Sequence, residues 1–157
     1  MKYKELTSEQ LNEMHKEFAL FLATQKIDSD KWQEIKDTNP ELVNEQIQLF
    51  SDLVWDKVLG KIKYLTNFIE NSLNLFRFDE EQVHRIVIKC EKKGFNFSNK
   101  QDYKWFINNS NDKSISYFKG QKVFFKEKNL EKFELIEKGC TADKGELFES
   151  VFSILSK

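Results

Sequence analysis

One proline, five glycines, two cysteines and two histidines are all that 157 residues contain of the types on which turns, disulfides and most metal or acid–base sites depend. Cys90 and Cys140 are too few for a disulfide scaffold and have no C-x-x-C spacing, so they read as reduced thiols. His15 and His84 leave histidine chemistry few candidates. His84 and Cys90 share a face of one expected strand, but six residues at about 3.3 Å each hold them roughly 20 Å apart, too far for a dyad. The glycines, at 60, 94, 120, 139 and 145, form neither G-x-G-x-x-G nor G-x-x-x-x-G-K, and no G-x-S-x-G elbow occurs. The common phosphate-cradling loops and hydrolase signatures are therefore excluded. No apolar run is long enough to cross a bilayer, and the stretch from Met1 to Leu6 has no secretory h-region. These absences lead us to expect a soluble cytoplasmic protein without membrane insertion, metal, cofactor or catalytic residues.

Arginine is scarce as well: only Arg77 and Arg85 among 25 basic residues. Lysine lacks the planar fork that suits phosphate and base edges, and a bias to Lys, Asn, Phe and Ile resembles that of an AT-rich genome. What the chain has in excess is aromatic side chains, with 15 Phe, 4 Tyr and 3 Trp. Each buries on the order of 150–250 Å², enough together for one core. The length suits a single domain over 1–157, with a helical part over 1–69 and a mixed part over 70–157. The net charge of −1 hides an asymmetry. Residues 1–82 carry 16 acidic against 10 basic groups, whereas residues 83–128 carry 11 basic against 4 acidic. Such a basic segment attracts polyanions.

The expected fold class is α+β, helices first and a small antiparallel sheet after them. Thr7 with Gln10 forms a capping box, and the spacing of Leu11, Met14, Phe18, Phe21 and Leu22 predicts a helix over about 8–24. Trp32 and Ile35 mark a short second helix. Pro40 opens a third, whose apolar stripe of Val43, Ile47, Phe50, Val54, Val58, Ile62 and Leu65 is the strongest signal in the chain. From Asn71 the period becomes two. Strands are expected over 73–78 and 83–90 around a polar turn, with a short edge strand at Gly94-Phe95-Asn96-Phe97. Ser98 with Gln101 reads as a second capping box before Tyr103, Phe106 and Ile107. Lys119-Gly120 reads as a two-residue hairpin connection between strands at 115–118 and 121–125. Asn129 caps a helix over 130–138 that Gly139 ends, and Leu147, Phe148, Val151, Phe152 and Leu155 form a last amphipathic helix.

Two constellations fit no chemistry well. Glu81 and His84 have Glu-x-x-His spacing, but one such motif at a turn makes no di-iron site. Asp52 and Asp56 flank Trp55 on the long helix, and without a third ligand they read as a solvated face. Two binding readings remain. Trp32, Trp55 and Trp105 are candidate anchors for another protein. Lys100, Lys104, Trp105, Tyr117, Lys119 and Lys122 mix cations with rings as single-strand nucleic-acid binders do.

At Phe21-Leu22-Ala23-Thr24-Gln25-Lys26-Ile27, Phe50-Ser51-Asp52-Leu53-Val54-Trp55, Tyr64-Leu65-Thr66-Asn67-Phe68 and Leu135-Ile136-Glu137-Lys138-Gly139, the chain resembles a small family of hypothetical proteins from Bacteroidota. The resemblance runs over nearly the full length, and it implies one domain in a bacterial cytoplasm. That family has no assigned activity, so it brings no site residues. By elimination the expectation is a non-enzymatic protein-binding adaptor or accessory subunit, with an RNA- or ribosome-associated accessory protein using segment 100–126 as the alternative.

Overall fold

Capping side chains set where the first helices start. In the computed structural model, which describes all residues from Met1 to Lys157, Thr7 Oγ1 accepts the Gln10 N–H at 3.1 Å and Gln10 Oε1 accepts the Thr7 N–H at 2.9 Å. This reciprocal pair opens α1, Ser8–Glu13. The single helix expected over this stretch is broken at Met14, whose φ of −106° and ψ of 25° separate α1 from α2, His15–Thr24. At the break His15 Nδ1 donates to the Asn12 carbonyl at 3.0 Å, competing with the helix for that acceptor. Asp28 accepts the Lys31 N–H at 2.8 Å and starts α3, Ser29–Thr38. Asn39 accepts the Leu42 N–H at 3.2 Å and Pro40 takes the first position of α4, Pro40–Lys61.

These four helices make up most of the first of two compact units, Met1–Leu59 and Gly60–Lys157. The core of this unit is Phe18, Leu22, Ile27, Ile35 and Phe50. The Phe18 ring lies 5.0 Å from Phe50 and meets Trp32 edge-on at 5.4 Å. Asp52 and Asp56 are engaged, contrary to the solvated face expected for them. Asp52 accepts the Lys2 N–H at 2.7 Å and the Tyr3 N–H at 3.0 Å, and Asp56 accepts the Tyr3 hydroxyl. The pair straps the N-terminal segment to α4.

The second unit is built on a five-stranded antiparallel sheet: β1 Tyr64–Ile69, β2 Ser72–Phe78, β3 Gln82–Cys90, β4 Ile115–Val123 and β5 Thr141–Asp143, in the order β4-β3-β2-β1-β5. With helices α5 Lys100–Asn108, α6 Lys128–Glu137 and α7 Glu146–Leu155, the fold is α+β. Alternation places Leu73, Leu75, Ile86 and Ile88 on one sheet face, where Phe106 of α5 and Phe148 and Val151 of α7 cover them. On the opposite face α6 covers one end, packing Leu135 and Ile136 against Leu65, Phe78 and Val83.

Five local expectations are corrected. The apolar stripe does not carry the long helix to Leu65. The helix ends at Lys61, because Leu65 belongs to a strand whose register, Leu65↔Phe76 through Ile69↔Ser72, closes a hairpin with β2. Lys119-Gly120 is no hairpin connection either. Gly120 lies within β4 opposite Arg85 and lacks the positive φ that such a turn requires, since the nine residues of β3 offer β4 an unbroken partner. Gly94–Phe97 is turn rather than edge strand, with Phe95 and Phe97 meeting edge-on at 4.9 Å inside the core. The cap of α5 is Asn99, which accepts the Gln101 and Asp102 N–H groups at 2.9 and 3.1 Å. Gly139, at φ 109°, ends α6 as expected, with the Cys140 N–H donating to the Leu135 carbonyl at 3.0 Å, but the helix starts at Lys128, ahead of the Asn129 expected to cap it.

Candidate functional site

The sheet face that α6 covers at one end is open over the rest, and its map follows from register. Opposing residues give one row of Phe76, Arg85 and Gly120 and a second of Asn74, Val87 and Phe118. Asn67 and Ile69 of β1 continue the surface, and Lys138 and Cys140 border it from the end of α6. Together they line a groove of about 650 Å³. Its floor is apolar and uncovered: Phe118 is 53% exposed and Ile69 47%. Gly120 keeps the floor low, because a Cβ placed there meets nothing within 4 Å.

Electrostatically the groove has one sign. Arg85, Lys122 and Lys138 line it and no carboxylate does. Lys89, on the same face of β3, holds its ammonium 5.6 Å from the Phe118 ring centroid. Lys122 shares its charge with Glu131 at 3.5 Å. Arg85 is fixed in place. Asn74, itself buried, accepts its Nε–H at 3.2 Å and an Nη2–H at 2.6 Å, and the guanidinium carbon stands 5.7 Å from the Phe76 centroid. One amide oxygen thus sets the plane of the fork. The Cys140 thiol beside it is pushed up by burial, with Lys138 and Arg85 opposing. That leaves it protonated and unreactive at neutral pH.

The six residues read as a nucleic-acid segment are not brought together. Lys100, Lys104 and Trp105 lie on α5, and Tyr117 and Lys119 alternate toward the covered face of β4. The Tyr117 hydroxyl donates to the Ser110 carbonyl at 2.6 Å, and Lys119 Nζ reaches Ser156 Oγ at 3.3 Å. Only Lys122 shares the open face with Arg85. Among the tryptophans, Trp105 meets Phe95 edge-on at 5.9 Å and carries the Lys92 ammonium at 4.0 Å. Trp55 stands 6.4 Å from Tyr3 with Lys4 over its ring. All three are half-buried.

A family model for a family of unknown function (DUF6495) matches residues 1–156. The chain belongs to the DUF6495 family. No curated protein and no solved structure matches it. The DUF6495 match takes in both compact units, so the helical unit and the sheet are parts of one family unit. In the helical unit of this DUF6495 chain, Trp32 lines a second concavity of about 530 Å³ with Leu11, Phe18, Leu22, Val43 and Ile47. No helix of the chain is long and apolar enough to cross a membrane. Phe76, Arg85, Asn74 and Lys138 were not singled out as a site by sequence reasoning. Their signal was there in the alternation of β2 and β3, but alternation does not say which of two faces stays open.

Proposed function

We propose that the protein is a non-enzymatic accessory protein of the bacterial cytoplasm that holds a flexible polyanionic partner on the open face of its sheet. One observation carries the reading: a groove on which Arg85, Lys122 and Lys138 converge while no carboxylate lines it, in a chain whose net charge is −1. A one-signed concavity in an otherwise balanced protein raises the local concentration of oppositely charged ligand. Its open, shallow form suits an extended chain better than a small molecule, which binding sites ordinarily enclose. The test is retention on immobilised heparin and on polyphosphate as salt rises. Wild type should elute later than a Lys122→Gln, Lys138→Gln double variant, and the logarithm of affinity should fall linearly with the logarithm of salt concentration. Equal elution of the two proteins would remove the groove from any role in polyanion binding.

A second reading, a protein-binding adaptor, is favoured by the apolar concavity around Trp32. There Trp32→Ala should abolish capture of a partner while the sheet-face variants leave it intact.

A further inference from the structure

Resting on that reading, we infer that the polyanion is a single-stranded nucleic acid, with bases stacked on Phe118 and Phe76 and a backbone phosphate received by Arg85 between them. Polyphosphate, heparin and acidic peptides ask only for cations. This face offers cations around an aromatic floor; Phe76 is half-buried there against the cluster under α6, and Phe118 is the ring that no packing explains. Phe118 points away from the core cluster of the sheet and remains more than half exposed. Carbon-rich ring surface left in water on a charged face is the arrangement single-strand binders use, because every base presents a π-face and every linkage a phosphate.

The register sets the spacing. Phe76 is on β2 and Phe118 on β4, with β3 between them and two residues of offset along the strands. At strand spacings of about 4.8 Å and rises of about 3.4 Å per residue, the two rings stand roughly 12 Å apart across the face. Arg85 and Val87 of β3 occupy the interval. A ligand whose planar groups are joined by a charged, flexible backbone can satisfy both rings and the cation at once. The absent side chain of Gly120, opposite Arg85, leaves room for that backbone. Paired bases cannot offer their faces to isolated rings, so the strand must be single.

Arg85 adds orientation. Two of its five N–H groups are spent on Asn74 Oδ1, the first from Nε at 3.2 Å and the second from Nη2 at 2.6 Å. The Nη1 pair and the other Nη2 hydrogen remain for a phosphate oxygen, in a plane already fixed before the ligand arrives. Arg85 is thus one of only two arginines in the chain and the one that lies in the groove.

The experiment compares four labelled probes by fluorescence anisotropy: a short uridine oligonucleotide, its deoxythymidine counterpart, polyphosphate and a polyglutamate peptide of equal charge. Both oligonucleotides should bind tighter than the other two. Phe118→Ala, an exposed position whose loss should leave the fold intact by circular dichroism, should weaken oligonucleotide binding roughly 5- to 150-fold, with polyphosphate binding unchanged. Gly120→Ala raises the floor without clash, since its Cβ meets nothing within 4 Å, and should likewise weaken only the oligonucleotides. Arg85→Lys keeps the charge and should still lose oligonucleotide affinity. If polyphosphate binds as tightly as the oligonucleotides, or Phe118→Ala leaves all four probes unchanged, the nucleic-acid inference is overturned while the polyanion reading stands. Preferential binding of polyglutamate would overturn it in favour of an acidic protein segment. Binding of none of the four would overturn both.

Discussion

Replacing Gly145 with alanine puts a methyl group where the second unit has no space. Gly145 precedes α7 at φ 77°, a left-handed conformation that costs an L-residue about 1–2 kcal/mol. Its added Cβ would run into ring carbons of Tyr64. The ring cannot readily step aside, because its hydroxyl donates to Glu149 Oε2 at 2.5 Å and its face lies 5.9 Å from the Phe148 centroid. Glu149 is itself held by Arg77 Nη1 at 2.8 Å. Forcing a methylene into so tight a contact costs about 1–3 kcal/mol, so the sum is about 2–5 kcal/mol of unfolding free energy. Urea denaturation followed by circular dichroism measures it as a fall in midpoint at constant slope. Gly139→Ala supplies the control. That residue is also left-handed, at φ 109°, but its Cβ would meet nothing nearer than Asn67 Oδ1 at 3.8 Å, so only the strain should appear. Adding Tyr64→Ala to Gly145→Ala should recover the clash portion, giving a coupling of about 1 kcal/mol or more. Equal losses for the two glycines, or an additive double variant, would refute the steric account.

Three further outcomes are expected. Phe50→Ala, at the centre of the first unit where Phe18 and Phe21 lie 5.0 and 5.5 Å away, should cost about 3–5 kcal/mol in the same assay. The Tyr64 hydroxyl is pushed up to about 12, first by its hydrogen bond to Glu149 and then by burial. Its folded state therefore holds a proton that the unfolded chain releases near pH 10, and stability should fall as pH rises from about 10 to about 12, an effect that Tyr64→Phe abolishes. Lys132 moves the other way. Burial, with Lys128 adding to it, pulls its ammonium down to about 8, so the unfolded state binds more protons above that value. Stability should rise between about pH 8 and the ordinary lysine value near 10.4, and Lys132→Met should flatten that rise.

Much of the helical architecture was legible in the sequence because capping is local. Thr7, Asp28 and Asn39 each satisfy N–H groups within three residues, and a reader of the chain sees donor and acceptor together. The β2–β3 hairpin was legible for the same reason. β1 was not, because Ile62 and Leu65 continue a helical period by chance and only pairing with β2 reveals the strand. Lys119-Gly120 misled through the opposite error, a local turn signal overruled by a long partner strand. β5 has three residues, all exposed, and carries no apolar pattern to detect. The candidate site is the least local feature of all. Asn74 and Phe76, Arg85, and Phe118 and Gly120 belong to three strands, and only the register sets them in two rows. The basic segment 83–128 was visible as composition, yet alternation along β4 divides its side chains between opposite faces.

The position of β5 has a consequence for synthesis. β1 pairs on one side with β2, its neighbour in the chain, and on the other with Thr141–Asp143. The links that close this edge join residues far apart in order: Thr66 to Asp143 across 77 positions and Tyr64 to Glu149 across 85. A ribosome adding about 5–20 residues each second needs roughly 4–17 s to supply them, whereas hairpins form in microseconds. For that interval a nascent chain holds β1 paired on one side and bare on the other; β5 then closes the half from Tyr64 to Thr66 and leaves Phe68 and Ile69 exposed. During those seconds the backbone groups of Tyr64–Thr66 form an unpaired strand edge, the kind of template on which another extended segment can pair.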